Sequence, residues 1–270
     1  MQKSPFLRLL SVTSLVLVMG LITLQLLRWL GSEQQYLPAP HPWMTRTPWL
    51  VARMTPEDCS QMALEQLLEI DQRWLIWIDI QPNHAQEFEV VCPDSHIFEV
   101  RSAAKIGPRL ERILPMLKNR GVIFNIRAVD ISVTRPFLQL IEHWSEKKVD
   151  IGIASSSQAL LRDLRKARPD WLFAADASAW TKLKFFATFG IEAAVELWPD
   201  FFIASLDKDE PNFFGAIAAK EITHRKKVLL LEMNDDDKID PSWKESVQGV
   251  LTNRPKTFSP DTFFKKTGAE

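Results

Sequence analysis

Apolar and polar positions alternate along this chain in two rhythms. Short apolar runs are predicted as strands near Trp49-Ala52, Leu75-Ile80, Phe88-Val91, Val122-Ile126, Ile151-Ser155, Trp171-Ala174, Phe201-Ala204 and Val228-Leu231, with a further one at Val250-Leu251. Between them, Pro56-Ile70, Gly107-Asn119, Thr134-Ser145, Ser157-Ala167, Ala179-Phe189 and Asn212-Ala219 carry apolar residues at helical spacing. Several of these stretches open on a Ser, Thr, Asp or Asn cap or on a first-turn proline. Strands alternating with helices imply a parallel sheet covered by helices. Eight or nine strands without a Gly-rich loop after the first favour a closed α/β barrel of the TIM type over an open nucleotide-binding sheet.

A third pattern precedes these. From Leu9 to Leu27 no residue is charged, and Arg8 and Arg28 bracket the run. Nineteen residues at 1.5 Å rise cover the hydrocarbon thickness of a bilayer, so residues 1-31 are expected to form an N-terminal transmembrane anchor. A cleaved signal peptide would have a shorter apolar region and a small-residue cleavage site, which Gln25-Leu-Leu-Arg-Trp-Leu-Gly-Ser32 lacks. Lys3, Arg8 and the amino terminus lean toward a cytoplasmic N-terminus and a domain on the periplasmic or extracellular side. Trp29 and Tyr36 suit the interface, and Pro38, Pro40, Pro42 and Pro48 make residues 32-48 an extended spacer. The folded domain is then 49-257, with a tail at 258-270.

Charge removes one class of partner. The chain carries 33 basic and 34 acidic side chains, a net charge of -1, so nucleic acid is not expected. Neither a Gly-x-Gly-x-x-Gly nor a Walker sequence is present, which leaves nucleotide binding unsupported. The two cysteines, Cys59 and Cys92, form no metal site by spacing. Both fall at the loop-facing ends of predicted strands, where they either bridge across the barrel mouth or remain two partly buried thiols.

Leu50-Val-Ala-Arg-Met54, Trp77-Ile-Asp-Ile-Gln81, Val122-Ile-Phe-Asn-Ile-Arg127 and Gly249-Val-Leu-Thr-Asn-Arg-Pro255, with other short motifs in order between them, resemble the glycerophosphodiester phosphodiesterase family. Leu50-Val-Ala-Arg-Met54 stands where the family has Ile-Ala-His-Arg-Gly, and Pro56-Glu-Asp-Cys59 where it has Pro-Glu-Asn-Thr. Trp77-Ile-Asp-Ile-Gln81 is similar to its Glu-Leu-Asp-Val strand, and Val90-Val-Cys-Pro-Asp94 to Val-Val-x-His-Asp. Val122-Ile-Phe-Asn-Ile-Arg127 resembles Asn-Ile-Glu-Ile-Lys, and Ile151-Gly-Ile-Ala-Ser-Ser156, followed by Arg168-Pro169, resembles the Ser-Phe strand and its helix. Lys227-Val-Leu-Leu-Leu-Glu-Met-Asn234 takes the place of Val-Trp-Thr-Val-Asn, and Gly249-Val-Leu-Thr-Asn-Arg-Pro255 that of Gly-(Val/Ile)-Ile-Thr-Asp-x-Pro. The resemblance implies a PLC-like phosphodiesterase barrel in which two histidines act as acid and base and carboxylates hold Mg²⁺ or Ca²⁺ against a phosphodiester.

Residue by residue, the resemblance places Ala52 and Pro93 at the two histidine positions, Trp77 at the second-strand Glu and Asn125 at the fourth-strand Glu. Arg53, Glu57, Asp79, Asp94 and Arg127 remain. Glu57, Asp79 and Asn125 are a sparse ligand set for a hard dication, whereas Arg53 and Arg127 can grip a phosphate bidentately. Asp79, a carboxylate in an apolar strand, is expected either to hold metal or to pair with Arg53 or Arg127. His84 and His96 are read as exposed loop residues, and Asp235-Asp-Asp237 as a solvated loop.

The leading expectation is therefore a membrane-anchored, catalytically impaired phosphodiesterase relative that binds a phosphodiester, a lipid headgroup or a protein partner. The alternatives are an active metal-dependent hydrolase of glycerophosphodiesters or lysophospholipids, and a structural barrel without ligand.

Overall fold

The structure, a computed structural model, describes residues 42–264 except 46, 56–57, 94–103, 119, 145–149, 206–212, 234–242 and 244, together with 13–16, 18–23, 25–26 and 29. Ten strands form one sheet: β1 (Trp49–Arg53), β2 (Trp74–Pro82), β3 (Phe88–Pro93), β4 (Ala104–Arg109), β5 (Val122–Ile126), β6 (Ile151–Ala154), β7 (Leu172–Phe173), β8 (Phe201–Ser205), β9 (Val228–Met233) and β10 (Gly249–Thr252). Eight of them are parallel, in the order β7-β6-β5-β2-β1-β10-β9-β8. A parallel bridge between Ala174 and Phe201 joins the two ends of that order, so the sheet is a nearly closed barrel. Strands β3 and β4 are an antiparallel extension carried by β2.

All the expected strands are present, and β4 is one that sequence patterning misses. The helix expected over Gly107-Asn119 is shortened accordingly. Its first residues belong to β4, where Gly107 passes so close to the Cys59 carbonyl that a Cβ would lie 2.5 Å from it. The chain then makes one helical turn, α2 (Leu110–Ile113), and a 3-10 turn, Leu114–Leu117, that contains Pro115, which has no N–H to continue the helix. The first helix, α1 (Gln61–Leu68), starts later than Pro56 because the Ser60 hydroxyl accepts from the Ala63 amide at 3.1 Å and sets the cap. The other barrel helices are α3 (Thr134–Trp144), α4 (Gln158–Ala167), α5 (Ala177–Ala187) and α6 (Phe213–His224), with α7 (Pro260–Phe264) after the last strand. The Ser157 and Asp176 side chains cap α4 and α5.

Two apolar regions result from strand alternation. Outward residues such as Ile76, Ile78, Phe124 and Ile153 pack under the helices. Inward residues, among them Trp49, Val51, Trp77, Ile123, Leu172, Phe201, Leu230 and Leu251, fill the lumen. The lumen is sealed at the end where the strands begin by Trp43. Its carbonyl accepts from Trp49 Nε1 at 2.8 Å, and Gly121 leaves room for its ring. The stretch expected to be extended spacer through residue 48 therefore ends in a 3-10 turn, Pro42–Thr45, docked on the barrel.

At the same end a buried carboxylate, Asp200, precedes β8. It accepts from Arg165 Nη1 at 3.2 Å and Nη2 at 3.3 Å and from the Phe173 amide at 3.0 Å, with Lys227 Nζ at 3.9 Å. The Arg165 guanidinium also lies over the rings of Phe173 and Trp198. Burial pulls the Lys227 ammonium below its ordinary pKa, a pull that Asp200 opposes and that Arg165 and Arg225 reinforce.

The described positions between 13 and 29 are helical and exposed. Among the described residues no helix is long and apolar enough to cross a membrane.

Candidate functional site

The polar residues of the lumen gather at its other end, where the strands finish. Arg53 closes β1, Asp79 sits late in β2, Asn125 late in β5, Ser205 at the end of β8 and Glu232 in β9. Register brings them together: Asp79 is aligned with Asn125, Arg53 with Trp77, and Ser205 with Glu232 on adjacent parallel strands. Because side chains alternate along a strand, all of these point into the barrel in the layer above Trp77 and Ile123.

Asp79 is the centre of the layer and is 3% exposed. Its Oδ2 accepts from Arg53 Nε at 2.8 Å and from Trp77 Nε1 at 3.2 Å, and its Oδ1 accepts from Asn125 Nδ2 at 2.6 Å. The pairing with Arg53 that the sequence offers as one of two roles is thus formed. Arg53, 8% exposed, also reaches Glu232 Oε1 with Nη1 at 3.4 Å, and Glu232 Oε2 accepts from Ser205 Oγ at 2.5 Å. Its Nη2 is buried with no hydrogen-bond partner among the described residues. Each buried charge therefore has an opposite partner, which is the condition for burying it at all.

Arg127 lies just past β5, next in the same alternation after Asn125, and its amide donates to the Ile80 carbonyl at 2.8 Å. Ala52 is fully buried and faces the helices rather than the lumen, packed among the residues under α1. Glu57, Asp94, His96, Asn234 and Asp235-Asp237 lie outside the described residues, and so does the side chain of Pro93. His84 is exposed in the β2–β3 turn. Sequence reasoning misses Glu232 and Ser205. Glu232 carries the same signal as Asp79, a carboxylate closing an otherwise apolar strand, Val228–Met233.

Mg²⁺ or Ca²⁺ requires six or more oxygens around one point. Among the described residues no three His, Cys, Asp or Glu side chains cluster as a metal site would need. Asp79 and Glu232 instead flank a guanidinium, and Trp77 fills lumen space beside them. The described residues of the mouth do not fit a dication.

One covalent link crosses this end. Cys59, in the loop after β1, is disulfide-bonded to Cys92 on β3, with their Cα atoms 5.6 Å apart. Of the two states the sequence allows, the bridge is the one formed. It ties the loop between β1 and α1 to the β3–β4 extension beside the polar layer.

This geometry is that of a nearly closed parallel α/β barrel whose polar residues gather where its strands finish. The sequence matches no family model and no curated protein. Its structure is similar to the phosphodiesterase from Oleispira antarctica in complex with the product sn-glycerol-3-phosphate, at 10% identity and TM-score 0.51, over 78% of this chain and 94% of that one. It is similar to the glycerophosphodiester phosphodiesterase from Thermotoga maritima, at 11% identity and TM-score 0.51, over 78% and 96%. It is also similar to the calcium-dependent phosphoinositol-specific phospholipase C from a Gram-negative bacterium, Pseudomonas sp, at 11% identity and TM-score 0.50, over 84% and 96%. The chain has the PLC-like TIM-barrel fold of the glycerophosphodiester phosphodiesterases, as its motifs imply.

Proposed function

We propose that this chain is a membrane-tethered, catalytically impaired relative of the glycerophosphodiester phosphodiesterases that holds a phosphodiester-type anion at the C-terminal face of its barrel. The observation that carries this reading is the state of Asp79. Both its oxygens are taken by Arg53, Trp77 and Asn125, and among the described residues no imidazole stands beside it. Hydrolysis needs a proton donor within hydrogen-bond reach and a stabiliser of phosphoryl charge; in the described polar layer the carboxylates Asp79 and Glu232 are both engaged by Arg53, and the positive charge is that of guanidinium. A guanidinium binds phosphate without metal, and Arg53 keeps one buried donor, Nη2, with no partner among the described residues. Arg127 is the second cation of the proposal. The tether rests on the uncharged run Leu9–Leu27, and a periplasmic or extracellular domain is supported by the disulfide, which persists in oxidising compartments.

The test is hydrolysis of glycerophosphocholine and lysophospholipid by the full chain in lipid nanodiscs, with Mg²⁺ or Ca²⁺ and with chelator, beside calorimetric titration with sn-glycerol-3-phosphate. No turnover is expected under any condition. Binding should survive chelator and weaken about tenfold or more in Arg127→Ala, the loss of a charge-assisted contact worth roughly 1.5–3 kcal/mol. Chelator-sensitive turnover that Asp79→Ala abolishes would sink the impaired-enzyme reading. A folded chain with neither turnover nor binding would leave a structural barrel.

A further inference from the structure

The opposite end of the barrel carries an exposed aromatic cluster that the proposed site does not use. Helix α5 starts at its Asp176 cap beside the ends of the strands and runs back along the barrel, so its last turn lies where the strands begin. Its inner side is fixed by Leu183 and Ala187, both buried. Its outer side presents Phe185, 58% exposed, and the turn after it presents Phe189, 56% exposed. The Phe185 ring lies 5.2 Å from that of Phe189 and 5.7 Å from that of Phe186, centroid to centroid. Gly190, at φ +65°, reverses the chain, and the Ile191 amide closes the turn on the Phe186 carbonyl at 3.2 Å. Lys182 is exposed beside the cluster, and Lys184 lies with its ammonium 6.0 Å from the Trp180 ring centroid. Scattered apolar side chains on a surface need no explanation, but phenyl rings in edge-to-face contact, on a helix that also carries lysines, match the headgroup boundary of an anionic bilayer.

The chain itself reaches this end. Trp43 seals the lumen at the starts of the strands, and residues 28–41 are all that separate its 3-10 turn from the uncharged run Leu9–Leu27. The described chain therefore enters the barrel at the end that carries the aromatic cluster. We infer that this end rests on the membrane, with Phe185 and Phe189 at the headgroup boundary and Lys182 and Lys184 against lipid phosphates. The inference rests on the membrane-tethered reading and deepens it. The mouth around Arg53 then faces away from the bilayer, so its anion comes from solution and not from a headgroup of the same membrane.

The experiment uses the full chain in phosphatidylcholine vesicles with and without phosphatidylglycerol. A nitroxide is placed at Thr188→Cys, exposed and next to Phe189 in the chain, or at Val129→Cys, exposed beyond β5 at the mouth end. The native cysteines are bonded to each other, so the label goes to the new thiol. Flotation after an alkaline carbonate wash reads the tether by itself. Collision with oxygen against a water-soluble nickel chelate reads the depth of each label. The expected result is a chain that floats, with the oxygen-to-nickel ratio at position 188 several-fold above that at 129. Lys182→Glu with Lys184→Glu should narrow that gap in the phosphatidylglycerol vesicles. A floating chain whose label at 188 reads as aqueous, or whose label at 129 is the deeper, overturns the orientation and leaves the tether standing. A chain washed off by carbonate overturns the tether, and the orientation falls with it.

Discussion

Each end of this barrel buries a carboxylate against guanidinium, and the two clusters are built differently. At the end where the strands begin, Asp200 meets Arg165 and Lys227, two cations to one carboxylate, and its remaining acceptor capacity goes to the Phe173 amide. At the mouth, Arg53 sits between Asp79 and Glu232, and Trp77, Asn125 and Ser205 add side-chain donors to the two carboxylates. The first cluster is tied to backbone and aromatic faces and reads as a fastening, in keeping with the stabilising role of that end in such barrels. The second is made of side chains gathered from five strands, the arrangement in which barrels of this type place their chemistry. Here that placement pairs Arg53 with Asp79 and Glu232.

The comparison is tested most strongly by deleting the two carboxylates. Asp200→Ala leaves Arg165 and Lys227 with no acid partner among the described residues, in a region closed by Trp198 and Phe173, and should cost about 3 kcal/mol in chemical denaturation, at the low end for a broken buried pair because Arg165 is partly solvated. Asp79→Ala should cost less, about 2 kcal/mol, since Arg53 keeps Glu232 and the layer lies close enough to the mouth for water to take up the freed donors. A larger loss for Asp79→Ala would make the mouth cluster the main ionic fastening of the fold and would weaken the distinction between the ends.

A second asymmetry is covalent. The mouth end has the Cys59–Cys92 bridge, which closes a loop across a sequence separation of 33, while the other end is held by packing around Trp43. Replacing both cysteines by serine should lower unfolding stability by about 2–4 kcal/mol through the unfolded chain. Hydrogen exchange should quicken in β3, β4 and the loop before α1 and stay unchanged in β8 and β9. Uniform quickening would show that the bridge stabilises the barrel as a whole and not its mouth.

What the sequence reveals differs between the ends for physical reasons. The parallel strands are legible because strands buried on both faces are continuous apolar runs, as Val228 to Leu231 are. Asp79, Asn125 and Arg53 are legible because polar groups in such runs are costly and must be matched. Strand β4 is not, since Ala104–Arg109 is half exposed and polar and owes its extended form to pairing with β3 and to the close passage of Gly107 under Cys59. Nor is Trp43 as the lumen's seal, because a proline-rich stretch gives no sign of which residue will dock. The Asp200 cluster is hidden for a related reason: its three charged residues stand 27 to 62 positions apart, just outside strands or on a helix, and only the closed barrel brings them together.

The smallest effect concerns Lys227. Its native pKa is lowered, first by burial and then by Arg165 and Arg225, with Asp200 pulling the other way. For a base whose native pKa lies below its unfolded value, the unfolded chain binds more protons at every pH between the two, so stability rises with pH across that window. Below the native pKa both states are protonated and the whole cost of burying the ammonium is borne; above the ordinary value of 10.5 neither is. Unfolding stability should therefore climb as pH is raised through the lowered native pKa toward 10.5, a climb that Lys227→Met removes while Arg165 still satisfies Asp200. Denaturation curves of the two proteins across alkaline pH measure it. A Lys227→Met protein that keeps the climb would assign it to another group, and one that loses several kcal/mol at neutral pH would show that Asp200 needs both of its cations.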